Sequence, residues 1–86
     1  MHLKPEEITK SITRLKRAQG QLAAVIRMLE EGEQCDAAIT QLAAVSKAID
    51  KAGFTIISSG LKKCLTESQD SEVDLAKLEK LFLSLS

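Results

Sequence analysis

Ile8, Ile12, Leu15, Gln19, Leu22, Ile26 and Leu29 recur at alternating steps of four and three, a coiled-coil-like seam with one polar member. Cys35, Ile39, Leu42, Ser46, Ile49, Gly53, Ile56 and Gly60 repeat the same rhythm. No segment alternates with a period of two, so the chain reads as all-α. Two Phe, no Trp and no Tyr leave the core to Leu, Ile, Val and Ala. The 86 residues form one domain, spanning 1–86. A domain this small leans on a metal, a disulfide or self-association, and this composition points to an oligomer.

The helix boundaries are written in the local chemistry. Pro5 fits the first position of helix one, with Glu6 and Glu7 placed where the helix dipole favours acids. Gly32 is the natural stop, free to adopt a left-handed conformation. A second helix is expected to start between Glu33 and Asp36 and to continue to about Leu65, with Gly53, Ser58-Ser59 and Gly60 as weak points. The polar run Thr66 to Asp70 predicts a turn, and Ser71 with Asp74 resembles a capping box. Leu75, Leu78, Phe82 and Leu85 then give a short amphipathic third helix.

No apolar run approaches the roughly 18–20 residues of a membrane span, and no signal-peptide pattern is visible, so a cytoplasmic setting without a membrane partner is expected. In that reducing compartment cysteines are reactive or metal-binding more often than bridged. Net charge is zero, but six of the twelve Lys and Arg fall within residues 1–29 against two acids. Lys10, Arg14, Arg17 and Gln21 form a stripe on the side of helix one away from its seam, and Lys47 and Lys51 extend it from helix two. Such a stripe is a solvated face by default and binds phosphates where association gathers several copies on one surface. Helix-turn-helix, zinc-finger and aromatic stacking signatures are absent. With no internal histidine and no glycine-rich loop, nothing supplies a catalytic base or a phosphate cradle, and an enzyme is not expected.

Cys35 and Cys64 are the only thiols. Lying 29 positions apart on one helix, they would be separated by roughly 43 Å, whereas a disulfide needs Cα atoms about 4.4–6.8 Å apart. Antiparallel pairing of two copies about an axis near Ile49 and Asp50 would instead set Cys35 against the partner's Cys64. Helix N-termini and neighbouring cations favour the nucleophilic thiolate, and Cys35 opens helix two while Cys64 follows Lys62 and Lys63. The bland reading is two small buried hydrophobes. A zinc site lacks ligands, because His2 is the only histidine, but two thiolates suit Cu(I).

The run Arg14-Leu15-Lys16-Arg17-Ala18-Gln19-Gly20-Gln21-Leu22, followed by Arg27-Met28-Leu29-Glu30-Glu31, Cys35-Asp36 and Thr40-Gln41-Leu42-Ala43-Ala44-Val45, resembles the copper-sensitive operon repressor family. The resemblance implies three helices per subunit, an antiparallel four-helix-bundle dimer core, a dimer of dimers, and operator DNA binding relieved by an inducer. Copper-sensing members carry a cysteine early in helix two and an H-x-x-x-C pair near its end. Those cysteines fall on Cys35 and Cys64, but the histidine position is Gly60, in Gly60-Leu61-Lys62-Lys63-Cys64, and a common second-shell tyrosine is Gln34.

Two cysteines without the histidine are closest to the persulfide-sensing branch. There, reactive sulfur links the thiols across the subunit interface as a disulfide or polysulfide, with no cofactor. A Cu(I)-responsive repressor holding the ion on Cys35 and Cys64 is the alternative. A helical oligomerisation module with incidental thiols is the rival from another class. The family's DNA contacts map onto Arg14, Arg17, Lys47 and Lys51, with Lys10 and Gln21 as weaker candidates. Lysine in place of the family's common arginine at 47 and 51 keeps charge but loses bidentate recognition, which implies phosphate contacts there.

Overall fold

A computed structural model describes residues 2–66 and 71–86 of the chain. They form a single 3-10 turn, Pro5–Glu7, and three α-helices: α1 Thr9–Glu30, α2 Cys35–Thr66 and α3 Ser71–Leu85. No strand occurs among the described residues. Of the polar turn expected over Thr66 to Asp70, Thr66 instead ends α2, and residues 67–70, with the Ser71 side chain of the expected capping box, lie outside the described residues.

The start of α1 differs from the expectation. Pro5 opens the 3-10 turn rather than the α-helix, because the Lys4 backbone N–H is held by Glu7 Oε2 at 3.1 Å and Ile8 leaves helical geometry at φ −126°, ψ 26°. The Ile8 carbonyl then accepts the first α-helical bond, from the Ile12 N–H at 3.0 Å. Glu6 and Glu7 therefore precede α1 instead of lining its first turn.

The end of α1 is as expected. Gly32 has φ 74°. Its N–H donates to the Leu29 carbonyl at 3.3 Å, and the Glu33 N–H donates to the Met28 carbonyl at 2.9 Å. These two bonds make a Schellman motif, which caps the last carbonyls of α1 and turns the chain back. The second helix begins at Cys35, inside the expected window, and runs unbroken for 32 residues through Gly53, Ser58, Ser59 and Gly60.

Packing of α1 on α2 uses neither of the two large apolar seams. Ser11, Ala18 and Val25 of α1 and Ala38, Val45 and Ala52 of α2 are the buried positions, each set repeating every seven residues. These small side chains let two antiparallel helices approach closely. The middle of each large seam stays open, with exposures from 37% at Leu15 to 57% at Ile39, while Ile8, Ile12 and Ile56 are half-buried. The chain is flat, with principal extents of 54 × 25 × 13 Å. One layer of helices cannot bury two faces, so the broad apolar side of the α1–α2 hairpin faces outward.

The third helix packs on the C-terminal half of α2 with the face expected from its sequence. Leu78 is buried, and the Phe54 and Phe82 rings lie 5.2 Å apart at 57°, an arrangement aromatic pairs favour. A Cβ at Gly53 would stand 2.8 Å from Leu85 Cδ1, so the missing side chain makes room for the end of α3. No helix among the described residues is long and apolar enough to cross a membrane.

Candidate thiol switch and nucleic-acid interface

Both cysteines sit at the ends of α2, and their environments differ. Cys35 is the first residue of the helix and is exposed, whereas Cys64 lies near its end and is 5% exposed. They are not joined to each other. A straight helix keeps them roughly 43 Å apart, so only a second chain can bring a thiol to either one. Cys64 follows Ile57 by seven positions and Leu61 by three, which places it on the face that α3 covers. Ile57 and Leu61 line a hollow of ≈ 270 Å³ with Leu75, Leu78, Glu79 and Phe82. Beside Cys64, Lys63 Nζ pairs with Glu7 Oε2 at 3.5 Å and ties the end of α2 to the 3-10 turn that precedes α1.

No cluster of three or more His, Cys, Asp or Glu side chains able to hold a metal ion occurs among the described residues. The position that would carry the imidazole, Gly60, is buried and has no donor atom. A soft ion would therefore rest on two thiolates drawn from different chains. That donor set suits Cu(I) better than ions that prefer nitrogen ligands.

The antiparallel hairpin brings together most of the basic residues singled out from the sequence. Arg14, Arg17 and Gln21 of α1 border one shallow hollow with Ala48 and Lys51 of α2. Arg14 is half-buried, and its Nη1 donates to Thr55 Oγ1 at 3.2 Å. Arg17, Gln21 and Lys51 are exposed around it. Lys47 is exposed one turn before Lys51 but does not line the hollow. Lys10 borders a neighbouring depression with Glu6 and Glu7. Thr55 was not among the residues expected from the sequence. Its signal is a threonine four positions after Lys51, at the height where an antiparallel α1 presents Arg14.

The sequence matches the description "metal-sensitive transcriptional repressor" over residues 7–84. It is 42% identical over 53 residues to uncharacterized protein YrkD of Bacillus subtilis, a stretch covering 62% of this chain and 84% of YrkD. It is 33% identical over 55 residues to the copper-sensing transcriptional repressor RicR of Mycobacterium tuberculosis, covering 64% of this chain and 57% of RicR. Against the copper-sensing transcriptional repressor CsoR of Mycobacterium ulcerans, identity is 34% over 56 residues, covering 65% of this chain and 48% of that protein. The chain thus spans about half the length of the two copper-sensing relatives and most of YrkD. The family is one of transcriptional repressors rather than enzymes, and its match runs from the 3-10 turn into the last turn of α3. The chain belongs to the metal-sensitive transcriptional repressor family.

Proposed function

We propose that this chain is a thiol-switched repressor of the persulfide-sensing branch, binding operator DNA as a dimer of dimers and releasing it when Cys35 is linked to the partner's Cys64. The observation that carries the reading is the pairing of an exposed thiol at one end of α2 with a buried one at the other, with Gly60 where copper-sensing members carry a histidine. The exposed sulfur of Cys35 is accessible for the first attack, and the sheltered one of Cys64 suits resolution. Cys35 attacks the outer sulfur of an organic persulfide, forms its own persulfide and expels the donor as a thiol. The partner's Cys64 thiolate then attacks the Cys35 sulfur and expels hydrosulfide, so two thiols are oxidised while the transferred sulfur is reduced. If both thiols carry an extra sulfur, loss of hydrogen sulfide leaves a trisulfide.

The open apolar seams of α1 and α2 supply the surface for a partner chain, and Arg14, Arg17 and Lys51, with Lys47 beside them, supply the phosphate contacts. Gln21 borders the same hollow, and Lys10 borders the neighbouring one. A Cu(I)-responsive repressor is the second reading, favoured by the names of two relatives. In that reading the same two thiolates hold the ion. A bare oligomerisation module has the family membership against it.

The deciding experiment treats the reduced chain bound to DNA with an organic persulfide or with Cu(I). It follows DNA release, intact mass and non-reducing gel mobility. Persulfide is expected to release DNA and give crosslinked dimers. Cys35→Ala should abolish release, and Cys64→Ala should gain sulfur at Cys35 without crosslinking. Stoichiometric Cu(I) binding that releases DNA, while persulfide leaves the complex intact, would transfer the function to the second reading.

A further inference from the structure

Arg14 is held differently from the other basic residues around its hollow. Arg17 and Lys51 are exposed, but Arg14 is half-buried between α1 and α2, with Nη1 donating to Thr55 Oγ1 at 3.2 Å. The Thr55 hydroxyl spends its single proton on the Lys51 carbonyl at 2.9 Å. Its oxygen therefore meets the guanidinium purely as an acceptor. Ser59 Oγ donates to the Thr55 carbonyl at 3.1 Å, which continues the same polar track down α2. One Arg14 donor is consumed, and four of the five in the guanidinium fork remain for an outside acceptor. Arginine is flexible in solution, and a side chain ordered beforehand loses less entropy when it binds.

We infer that Thr55 is a positioning residue for DNA binding, fixing the Arg14 guanidinium over the hollow shared with Arg17, Gln21 and Lys51 so that it meets a backbone phosphate already oriented. The inference rests on reading that face as the operator-binding surface. It assigns Thr55 no contact with DNA and no charge, only control over the direction of Arg14. The threonine also joins the two helices that contribute the cluster, so the spacing of Arg14 and Lys51 depends on the same hydroxyl.

The test uses the full reduced chain and two labelled duplexes, one from upstream of the chain's own gene and one scrambled at equal length and composition. Binding is measured across a salt series for the parent, Thr55→Val, Thr55→Ser, Arg14→Ala and the Thr55→Val/Arg14→Ala pair. Thermal unfolding is recorded for each. Thr55→Val preserves shape and charge, so affinity should fall about three- to tenfold while the salt slope stays at the parental value. Thr55→Ser keeps the hydroxyl and should bind like the parent. Arg14→Ala should lower the slope by about one for each phosphate that is no longer neutralised, and adding Thr55→Val to it should change nothing further.

Parental affinity in Thr55→Val, or a loss that persists undiminished in the Arg14→Ala background, would overturn the positioning role while leaving the operator-binding reading intact. A parent chain that binds both duplexes equally weakly would overturn the operator-binding reading itself, and the role of Thr55 with it.

Discussion

Ser11 carries a cost that a single substitution should remove. Its side chain is 1% exposed at the α1–α2 contact, and Oγ has no hydrogen-bond partner among the described residues. A buried, unsatisfied hydroxyl costs about 1–3 kcal/mol. Ser11→Ala deletes that penalty and adds up to about 0.5 kcal/mol of helix propensity. Against this stand the dispersion contacts of one oxygen atom, about 0.1–0.2 kcal/mol per neighbour and about 1 kcal/mol for a well-packed site. The balance is a gain of about 1 kcal/mol, equivalent to about 4–8 °C in a domain of this size. Urea unfolding of parent and variant must be compared at one protomer concentration, because association contributes to apparent stability. The midpoint should rise with an unchanged slope against denaturant. A variant less stable than the parent would show that the Ser11 hydroxyl is satisfied in solution, by water or by a second chain, and would refute the reasoning.

Two further substitutions probe the joints of the fold. Gly32→Ala places a Cβ at φ 74° and should cost about 1–2 kcal/mol in urea unfolding, with Gly32→Asn losing visibly less. Gly53→Leu drives a side chain into the space occupied by Leu85. It should cost about 1–3 kcal/mol and raise amide exchange selectively over residues 75–85, where α3 loses its seat.

Much of the fold was legible because its signals are local. The left-handed position at Gly32 and the amphipathic face of α3 follow from residue types a few positions apart. The packing of the hairpin was not legible. Its buried residues are Ser11, Ala18, Ala38 and Ala52 beside two valines, and small side chains barely register in a hydrophobic pattern. The strong seams marked the outward face of the hairpin instead, where large residues such as Leu22, Ile39 and Leu42 stand exposed. Pro5 misled for a related reason. Its fixed φ suits the first position of any helix, and the Lys4–Glu7 bond that closes a 3-10 turn there depends on the Glu7 side chain reaching back. At the candidate site, the cysteine positions and the arginine stripe could be read directly. The Thr55–Arg14 bond, 41 positions long in sequence, required the register of α1 against α2.

The continuity of α2 sets how a signal can travel. Lys51 lies 16 positions from Cys35 and 13 from Cys64 along one uninterrupted helix, or roughly 24 Å and 20 Å along its axis. Over such a stretch the helix behaves as a lever arm, which bends little and transmits tilt. A pivot of about 10° near its centre carries the Cys35 end through about 4 Å at that arm length, and a constraint imposed at the ends returns to the centre as a change of angle. In the proposed switch, chemistry on sulfur would thus reach the basic cluster without unfolding anything between them. The response should be shared by every residue along the arm, with the tight hairpin packing at Ala18, Val45 and Ala52 acting as its bearing.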